Sequence, residues 1–291
     1  AYITEREKSD TYDIHRLVRL AMLNWLKKQG ELEAWAAKVI RRLNDVFPLP
    51  EHDNREIWAA YLPHAQHVLE SPGAEDDVKF TLFSKVGRSF QILGQYREAE
   101  IMHTRALDGQ EKMLGPDHPD TLHSVSNLGN TFCIQGQYEK AEELHRRALK
   151  GREEVLGPDH IHTLYSVLNL GNVFINQGQY ERAEAMYQRA QDGFQKKLGP
   201  SHPDTLTSIM NLGNALHRQG RYEKAEAMHR RALEGQEKVL GPDHPYTLQS
   251  FFYLGNTLQT EGQHEMAEAM YRRALEGQEK VLGPNHPETL V

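Results

Sequence analysis

Apolar residues recur with helical spacing along most of the chain, and turn residues interrupt them at regular intervals. In one such stretch, Val125, Leu128 and Phe132 form a stripe with steps of three and four residues. The pattern breaks at Gly136, and a second apolar stripe begins at Tyr138. The sequence therefore predicts two amphipathic helices joined by a glycine turn, which together form a helical hairpin.

This hairpin pattern repeats every 42 residues. Glycine holds the same place in five successive first helices, at Gly87, Gly129, Gly171, Gly213 and Gly255. A connector that begins Leu114-Gly115-Pro116 separates one unit from the next. Glycine takes the left-handed conformation that ends a helix, and proline prevents the helix from continuing. A period of this length predicts an all-α solenoid of stacked hairpins.

The first-helix pattern Val125-x-x-Leu128-Gly-x-x-Phe132 resembles the motif of the tetratricopeptide repeat (TPR). The 42-residue unit and its Leu-Gly-Pro-Asp-His-Pro connector are similar to those of the kinesin light chain class of that family. The resemblance implies a TPR superhelix, an α-solenoid with five units over residues 77–286. Residues 287–291 copy the opening of another first helix, so we expect the start of a truncated sixth unit there.

The N-terminal residues carry a different pattern. The run Tyr-Asp-Ile-His-Arg from Tyr12 to Arg16 is similar to the last part of the winged-helix region in nucleotide-switch (STAND, NLR-like) proteins of the NB-ARC class. It looks especially like fungal proteins that join such an ATPase to repeats of the kinesin light chain type. The resemblance implies that residues 1–28 are a helical remnant, the end of that winged-helix-like region. It also implies that His15 contacts bound ADP in the full-length protein, the alternative being a packed core histidine. Apolar periodicity over residues 29–73 predicts a helical pair that caps the solenoid and couples to it.

Chemical motifs are scarce in this sequence. No phosphate-binding pattern Gly-x-x-x-x-Gly-Lys-Ser/Thr occurs, so ADP or ATP is expected only in an upstream domain and these residues are expected to hold no cofactor. The connector histidines lie one per repeat, which places them too far apart for the ~2.0 to 2.2 Å bonds of a shared zinc ion. We expect them to cap helices or pack in the connectors. They are His118, His160, His202, His244 and His286. No nucleophile and base fall together, so the chain is not expected to be an enzyme.

Charge and composition limit the partners. With 34 basic against 41 acidic residues the net charge is −7, so nucleic acid is not an expected partner. No apolar run approaches the ~18 residues of a membrane span, so a membrane is not an expected partner either. Cys133 is the only cysteine, which favours a reducing compartment, and the cytoplasm is the expected location.

The TPR resemblance assigns the concave groove to the second, fifth, ninth and twelfth positions of the first helices. Asparagine holds the ninth position in four units, at Asn130, Asn172, Asn214 and Asn256. An amide side chain offers both a donor and an acceptor, which suits pairing with the main chain of an extended peptide. The alternative is that these asparagines tie adjacent helices together and touch no ligand.

The other groove positions vary along the array. Leu168, Met210 and Phe252 predict an apolar floor toward the C-terminal repeats, while Lys85 and Arg88 predict positive charge near the first repeat. The expected ligand is therefore an extended segment with an acidic group toward repeat one and bulky apolar side chains toward repeats three to five. The predicted site comprises Arg88, Asn130, Tyr165, Leu168, Asn172, Met210, Asn214, Phe252 and Asn256.

The sequence favours one of three classes of function. The favoured one is a protein-interaction scaffold that binds an extended peptide or partner segment in the groove and acts as the sensor arm of a nucleotide switch. The alternative is a cargo or scaffold adaptor of kinesin light chain type, without a switch. No motif supports the third class, an enzyme that uses the repeats to hold substrate. End-to-end self-association is also expected, since the last helical pair leaves an apolar end open.

Overall fold

The computed structural model describes residues 3–5, 12–14, 16–51, 54–70 and 77–282 of the chain. His15, the connector histidine His286 and the predicted sixth unit at 287–291 lie outside the described residues. The chain divides into two compact units, Ala1–Asn127 and Leu128–Val291. The division falls inside one helix of the repeat array.

The N-terminal part of the first unit contains a short antiparallel strand pair. β1 (Ile3–Glu5) pairs with β2 (Tyr12–Ile14), and Ile3 lies opposite Ile14. The sequence predicted a helical remnant over residues 1–28, and helix is found only from Arg16 onward. Isoleucine, threonine and tyrosine favour the pleated strand, and their alternation with polar residues suits it.

Three helices follow the strand pair: α1 (Arg16–Gln29), α2 (Leu32–Val46) and α3 (Arg55–Glu70). The last two lie within the helical pair predicted for residues 29–73. Trp58 and Phe47 are fully buried between them, and the Trp58 Nε1–H donates to the carbonyl oxygen of Glu51 at 2.8 Å. The role of this pair as a coupling block remains a prediction.

Ten helices form the five predicted hairpins, with first helices of 16 residues and second helices of 18 or 19. The predicted helical-repeat fold is therefore confirmed. In chain order the repeats are α4 (Asp77–Ile92) and α5 (Tyr96–Leu114); α6 (Pro119–Ile134) and α7 (Tyr138–Leu156); α8 (Ile161–Asn176) and α9 (Tyr180–Leu198); α10 (Pro203–Arg218) and α11 (Tyr222–Val239); and α12 (Pro245–Thr260) and α13 (His264–Leu282).

The connectors end one repeat and begin the next by the same contacts each time. Their glycines have φ between 90° and 93°, a backbone conformation that side chains disfavour. The histidine that follows accepts a hydrogen bond on Nδ1 from the backbone N–H two residues later, at 3.2 to 3.3 Å. These caps involve His118, His160, His202 and His244. The predicted capping role of the connector histidines is confirmed for these four.

Two columns of glycine allow the helices of a hairpin to approach closely. On the first helix, a Cβ added at Gly171 would lie 2.7 Å from Cε1 of Tyr187 on the second helix. On the second helix, a Cβ added at Gly193 would lie 2.4 Å from Cδ2 of Leu164 on the first. Each helix therefore presents a notch that receives a large side chain of its partner. Only the first column was recognised from the sequence.

Candidate functional site

Four asparagines occupy the same place on successive first helices of the second unit. We call this set the asparagine column: Asn130 on α6, Asn172 on α8, Asn214 on α10 and Asn256 on α12. Asn172 is exposed to solvent and the other three are half-buried. Each follows the glycine that receives a ring from the second helix of the same repeat. Each residue of the column therefore keeps some surface exposed to solvent.

Two members of the column are tied to their own hairpin. The Tyr187 hydroxyl on α9 donates to Oδ1 of Asn172 at 2.7 Å, and the Tyr271 hydroxyl on α13 lies 2.7 Å from Oδ1 of Asn256. Burial raises the pKa of the Tyr187 phenol, so this hydroxyl stays protonated and remains a donor. The side-chain oxygens of these two asparagines thus tie adjacent helices together, as the alternative interpretation expects. Their amide nitrogens remain available to a ligand.

Histidine replaces the tyrosine in repeats two and four. His145 and His229 are buried over Gly129 and Gly213. Both nitrogens of His145, and Nδ1 of His229, have no hydrogen-bond partner among the described residues. Burial lowers the pKa of His145 to about 4 and that of His229 to about 3, so both rings are neutral near pH 7.

The asparagines of repeats two and four are not held in place. The side chains of Asn130 and Asn214 form no hydrogen bond with any residue that the structure describes. One column therefore contains two kinds of amide. Those of repeats three and five have an oxygen that accepts a hydrogen bond from a tyrosine, and those of repeats two and four have no such bond.

Two residues of the predicted apolar floor are placed elsewhere. Leu168 is 7% exposed and Met210 is 2% exposed, so neither offers a surface to a ligand. The fifth position faces the neighbouring repeat: in the first unit, the hydroxyl of Ser84 lies 3.4 Å from that of Ser124 on the next first helix. The prediction that Leu168 and Met210 line the groove is therefore wrong, because this column packs one repeat on another.

Aromatic residues at two predicted positions are accessible. Phe252 is 45% exposed, and its ring lies 5.9 Å from that of Tyr271. Tyr165 is 37% exposed, and its hydroxyl donates to Oδ2 of Asp204 on the following first helix at 2.7 Å. Tyr165 therefore provides apolar surface near the column. Phe252 holds the same fifth position as Leu168 and Met210, which packs one repeat on the next, and no first helix after α12 is among the described residues.

The basic residues that were predicted to attract an acidic ligand form hydrogen bonds within the first unit. Lys85 Nζ donates to the carbonyl oxygens of Asn44 and Phe47 at 2.7 and 3.0 Å, where it caps the end of α2. Burial lowers the pKa of Lys85, an effect that Asp45 opposes. Arg88 Nε donates to the carbonyl oxygen of Pro50 at 2.7 Å, although its side chain remains exposed. Lys85 is therefore not free to meet an acidic ligand as predicted.

Sequence reasoning missed the residues beneath the column. The second helices carry a ring at each 42-residue step: His103, His145, Tyr187, His229 and Tyr271. The regular step is visible in the sequence and could have identified them. In the described part of the chain, no three histidine, cysteine or acidic side chains gather as metal ligands would. None of the described helices has the length and apolar character that crossing a bilayer requires.

Comparison with known proteins supports the repeat assignment. The model of the tetratricopeptide repeat family matches four overlapping segments, residues 79–154, 123–196, 161–238 and 207–280. A protein of Hyaloscypha variabilis described as nucleotide-binding leucine-rich repeat (NLR)-like is 43% identical over 129 residues, which are 43% of this chain and 13% of the relative. This chain therefore matches only a small part of that relative's length.

Solved structures show the same architecture. A Podosopora anserina protein described as a kinesin light chain with nearly identical TPR-like repeats is 26% identical, with a TM-score of 0.58 over 69% of this chain and 94% of that one. BtubC (BKLC) from P. vanneervenii is 22% identical, with a TM-score of 0.60 over 87% of this chain and 94% of that one, and it shows the fold alone. Tetratricopeptide repeats are scaffolds for protein–protein interaction, and the repeats of this chain resemble those described as of kinesin light chain type. Because the family model spans more than half of the chain and the structure contains the matching hairpins, this chain belongs to the tetratricopeptide repeat family.

Proposed function

We propose that the chain binds an extended peptide or partner segment along the asparagine column, on the concave face of the first helices. The observation that carries this proposal is an asparagine with solvent-exposed surface at one position of four consecutive first helices. Amide groups form hydrogen bonds with a peptide main chain whatever its side chains are, so they contribute affinity without a strict sequence preference. Tyr165 is the aromatic side chain in a position to add selectivity.

Alanine substitution in the column tests this proposal. A twelve-residue peptide selected from a random displayed library on the unmodified chain serves as the probe. Asn172→Ala and Asn214→Ala are each expected to raise its Kd about two- to tenfold, since one hydrogen bond contributes ~0.5 to 1.5 kcal/mol net. Gln188→Ala is the matched control, because it removes an exposed amide from a second helix. A library without binders, or binders that tolerate both asparagine substitutions, would contradict the proposal.

A second part of the proposal is that the repeats form the sensor arm of a nucleotide-switch protein. Support comes from the 43% identity to an NLR-like protein and from the resemblance of the Tyr12–Arg16 run to the winged-helix region of such switches. ADP or ATP would bind in an upstream domain, where His15 would contact its phosphates. A peptide in the groove would then favour the state that exchanges nucleotide, through its higher affinity for that state. The single cysteine agrees with the cytoplasm as the location.

The kinesin light chain adaptor is the second candidate, and the likeness to the Podosopora anserina repeats favours it. The two candidates differ in what accompanies the repeats in the full-length protein. A phosphate-binding loop upstream, together with ADP retained on purification, supports the switch. A heptad coiled coil without bound nucleotide supports the adaptor. A turnover assay on the repeats is expected to show no reaction under either candidate.

Self-association through the C-terminal repeat is proposed as well. Leu275 on α13 is 43% exposed, whereas Leu233 and Leu149 at the same position of earlier repeats are 7% and 9% exposed. An open apolar surface of this kind stacks readily on a second copy. Sedimentation should show a concentration-dependent dimer that Leu275→Glu abolishes, and a monomer at all concentrations would contradict the proposal.

A further inference from the structure

The ring beneath each asparagine differs between repeats in one chemical respect. Tyr187 and His145 both cover the glycine of their hairpin, with added Cβ atoms at Gly171 and Gly129 falling 2.7 and 3.0 Å from the rings. The tyrosine carries a hydroxyl that reaches the asparagine oxygen, and the histidine has no such group. The same site in the hairpin is therefore filled by tyrosine or by histidine, and only tyrosine forms a hydrogen bond with the asparagine amide.

When the asparagine oxygen already accepts a hydrogen bond inside the protein, that bond determines which groups of the amide remain for a ligand. An asparagine amide has one oxygen acceptor and two N–H donors on the opposite side. Because the Tyr187 hydroxyl donates to the oxygen of Asn172, the N–H groups are the part of this exposed side chain that has no partner among the described residues. Asn172 therefore presents donors, and the matching group on a peptide main chain is a carbonyl oxygen.

We propose that Tyr187 and Tyr271 are positioning residues that fix Asn172 and Asn256 as N–H donors, so that a bound peptide is gripped through its carbonyl oxygens at every second repeat. This inference rests on the proposed peptide docking along the asparagine column. Asn130 and Asn214 lack the hydroxyl and must lose rotational freedom on binding, which weakens each of their contacts.

The distance between the two fixed amides specifies the ligand. Consecutive first helices touch, since Tyr165 on α8 bonds to Asp204 on α10, and Thr257 on α12 lies 3.2 Å from Nδ1 of His217 on α10. Packed helices lie ~8 to 10 Å apart, so Asn172 and Asn256 are separated by roughly 16 to 20 Å. An extended peptide rises ~3.3 Å per residue and therefore spans this gap with about five or six residues. A separation of six residues places both carbonyl oxygens on the same side of the peptide. The ligand is thus an extended segment of at least about six residues.

The two positions are not equal. The Tyr187 hydroxyl has Asn172 as its acceptor, whereas the Tyr271 hydroxyl lies 2.7 Å from both the Asn256 and the Gln259 oxygens. One proton serves one acceptor at a time, so Asn256 is held less firmly than Asn172. Removal of the Tyr187 hydroxyl should therefore have the larger effect.

The first test needs no ligand. In the ¹⁵N spectrum of side-chain amides, Tyr187→Phe should shift the Asn172 resonances and lower their order parameter, while leaving those of Asn214 unchanged. Tyr180→Phe is the matched control, because its hydroxyl makes no hydrogen bond with the described residues. Unchanged Asn172 resonances in Tyr187→Phe would overturn the inference.

The second test measures Kd for the library-selected twelve-residue peptide. Tyr187→Phe is expected to raise Kd about two- to fivefold, Tyr271→Phe less, and Tyr180→Phe not at all. His229→Tyr, which supplies the missing hydroxyl beneath Asn214, should lower Kd by a similar factor. A peptide cut to five residues should lose its sensitivity to one of the two tyrosines.

The outcomes distinguish failure of the proposed peptide docking from failure of the proposed positioning role. If Asn172→Ala leaves Kd unchanged, peptide docking along the column fails. If Asn172→Ala weakens binding while Tyr187→Phe and His229→Tyr do not alter it, docking stands and the positioning role is overturned. A melting temperature of Tyr187→Phe within a few degrees of the parent ensures that any change in Kd reflects the groove.

Discussion

Repeats three and five differ from repeats two and four in the ring that lies beneath the asparagine, although all four repeats form the same helical hairpin. In the first pair a tyrosine reaches the asparagine of its own hairpin. In the second pair a histidine fills the site, and ring nitrogens remain without a partner among the described residues. A repeat array can therefore keep one fold while it varies the polar chemistry beneath its surface. Both kinds of ring pack in the hairpin and support its stability. Only the tyrosine orients an amide and so affects recognition.

Acidification should produce the largest contrast between the two pairs. An unfolded histidine has a pKa near 6.5, while burial lowers that of His145 to about 4 and that of His229 to about 3. As the pH falls below 6.5 the unfolded chain binds protons that the folded rings resist, so stability is lost. At pH 4.5 the loss is roughly 2.5 kcal/mol for each histidine.

The measurement is urea denaturation at pH 7 and pH 4.5, for the parent and for a His145→Tyr/His229→Tyr variant. Both proteins carry the same carboxylates, so the difference in their pH dependence isolates the two rings. The variant should lose clearly less stability on acidification. Equal losses would mean that these histidines are not buried and neutral.

Substitution of the glycines beneath the rings should give the next largest contrast in repeats two and three, since the corresponding distances at Gly213 and Gly255 are both 2.8 Å. A Cβ at Gly171 would lie 2.7 Å from the ring of Tyr187, whereas a Cβ at Gly129 would lie 3.0 Å from that of His145. Overpacking of this kind costs about 1 to 3 kcal/mol, against a gain in helix propensity of about 1 kcal/mol for alanine. We expect Gly171→Ala to destabilise the chain and Gly129→Ala to be close to neutral in urea denaturation. The reverse order would show that the tyrosine site has room to spare.

Replacement of each ring by phenylalanine should give smaller effects of opposite sign. Tyr187→Phe removes the hydrogen bond to Asn172, at a cost of about 1 kcal/mol. His229→Phe removes a buried nitrogen without a partner and leaves an apolar ring, so stability should stay level or rise by up to about 1 kcal/mol. Thermal denaturation at pH 7 distinguishes the two. Equal destabilisation by both substitutions would argue that packing alone matters at this position.

The helices of the array were predictable because their signals are local. Apolar steps of three and four residues, glycine turns and connector prolines each act within a few residues. The histidine caps were predictable for the same reason, since His118 bonds to a backbone N–H two residues away. The strand pair was missed because three-residue strands leave little periodicity to detect.

Contacts between helices were not predictable to the same degree. Leu168, Met210 and Phe252 share one column in the sequence, yet the first two are buried and the third is exposed. Burial depends on the rotation of the first helix and on its neighbours, which a periodic pattern does not define. Lys85 likewise meets a carbonyl oxygen 41 residues away in the chain. The pairing of Tyr187 with Asn172 requires the crossing of two helices, although the 42-residue step marks both residues.

The asparagine column itself offers the most direct measurement. The library-selected peptide is titrated against two double variants, Asn172→Ala/Asn256→Ala and Asn130→Ala/Asn214→Ala, which remove the same number of amides from the same helix position. We predict the larger loss of affinity for the first, because its amides are held as donors by Tyr187 and Tyr271. Equal losses, or a larger loss for Asn130→Ala/Asn214→Ala, would contradict recognition at every second repeat.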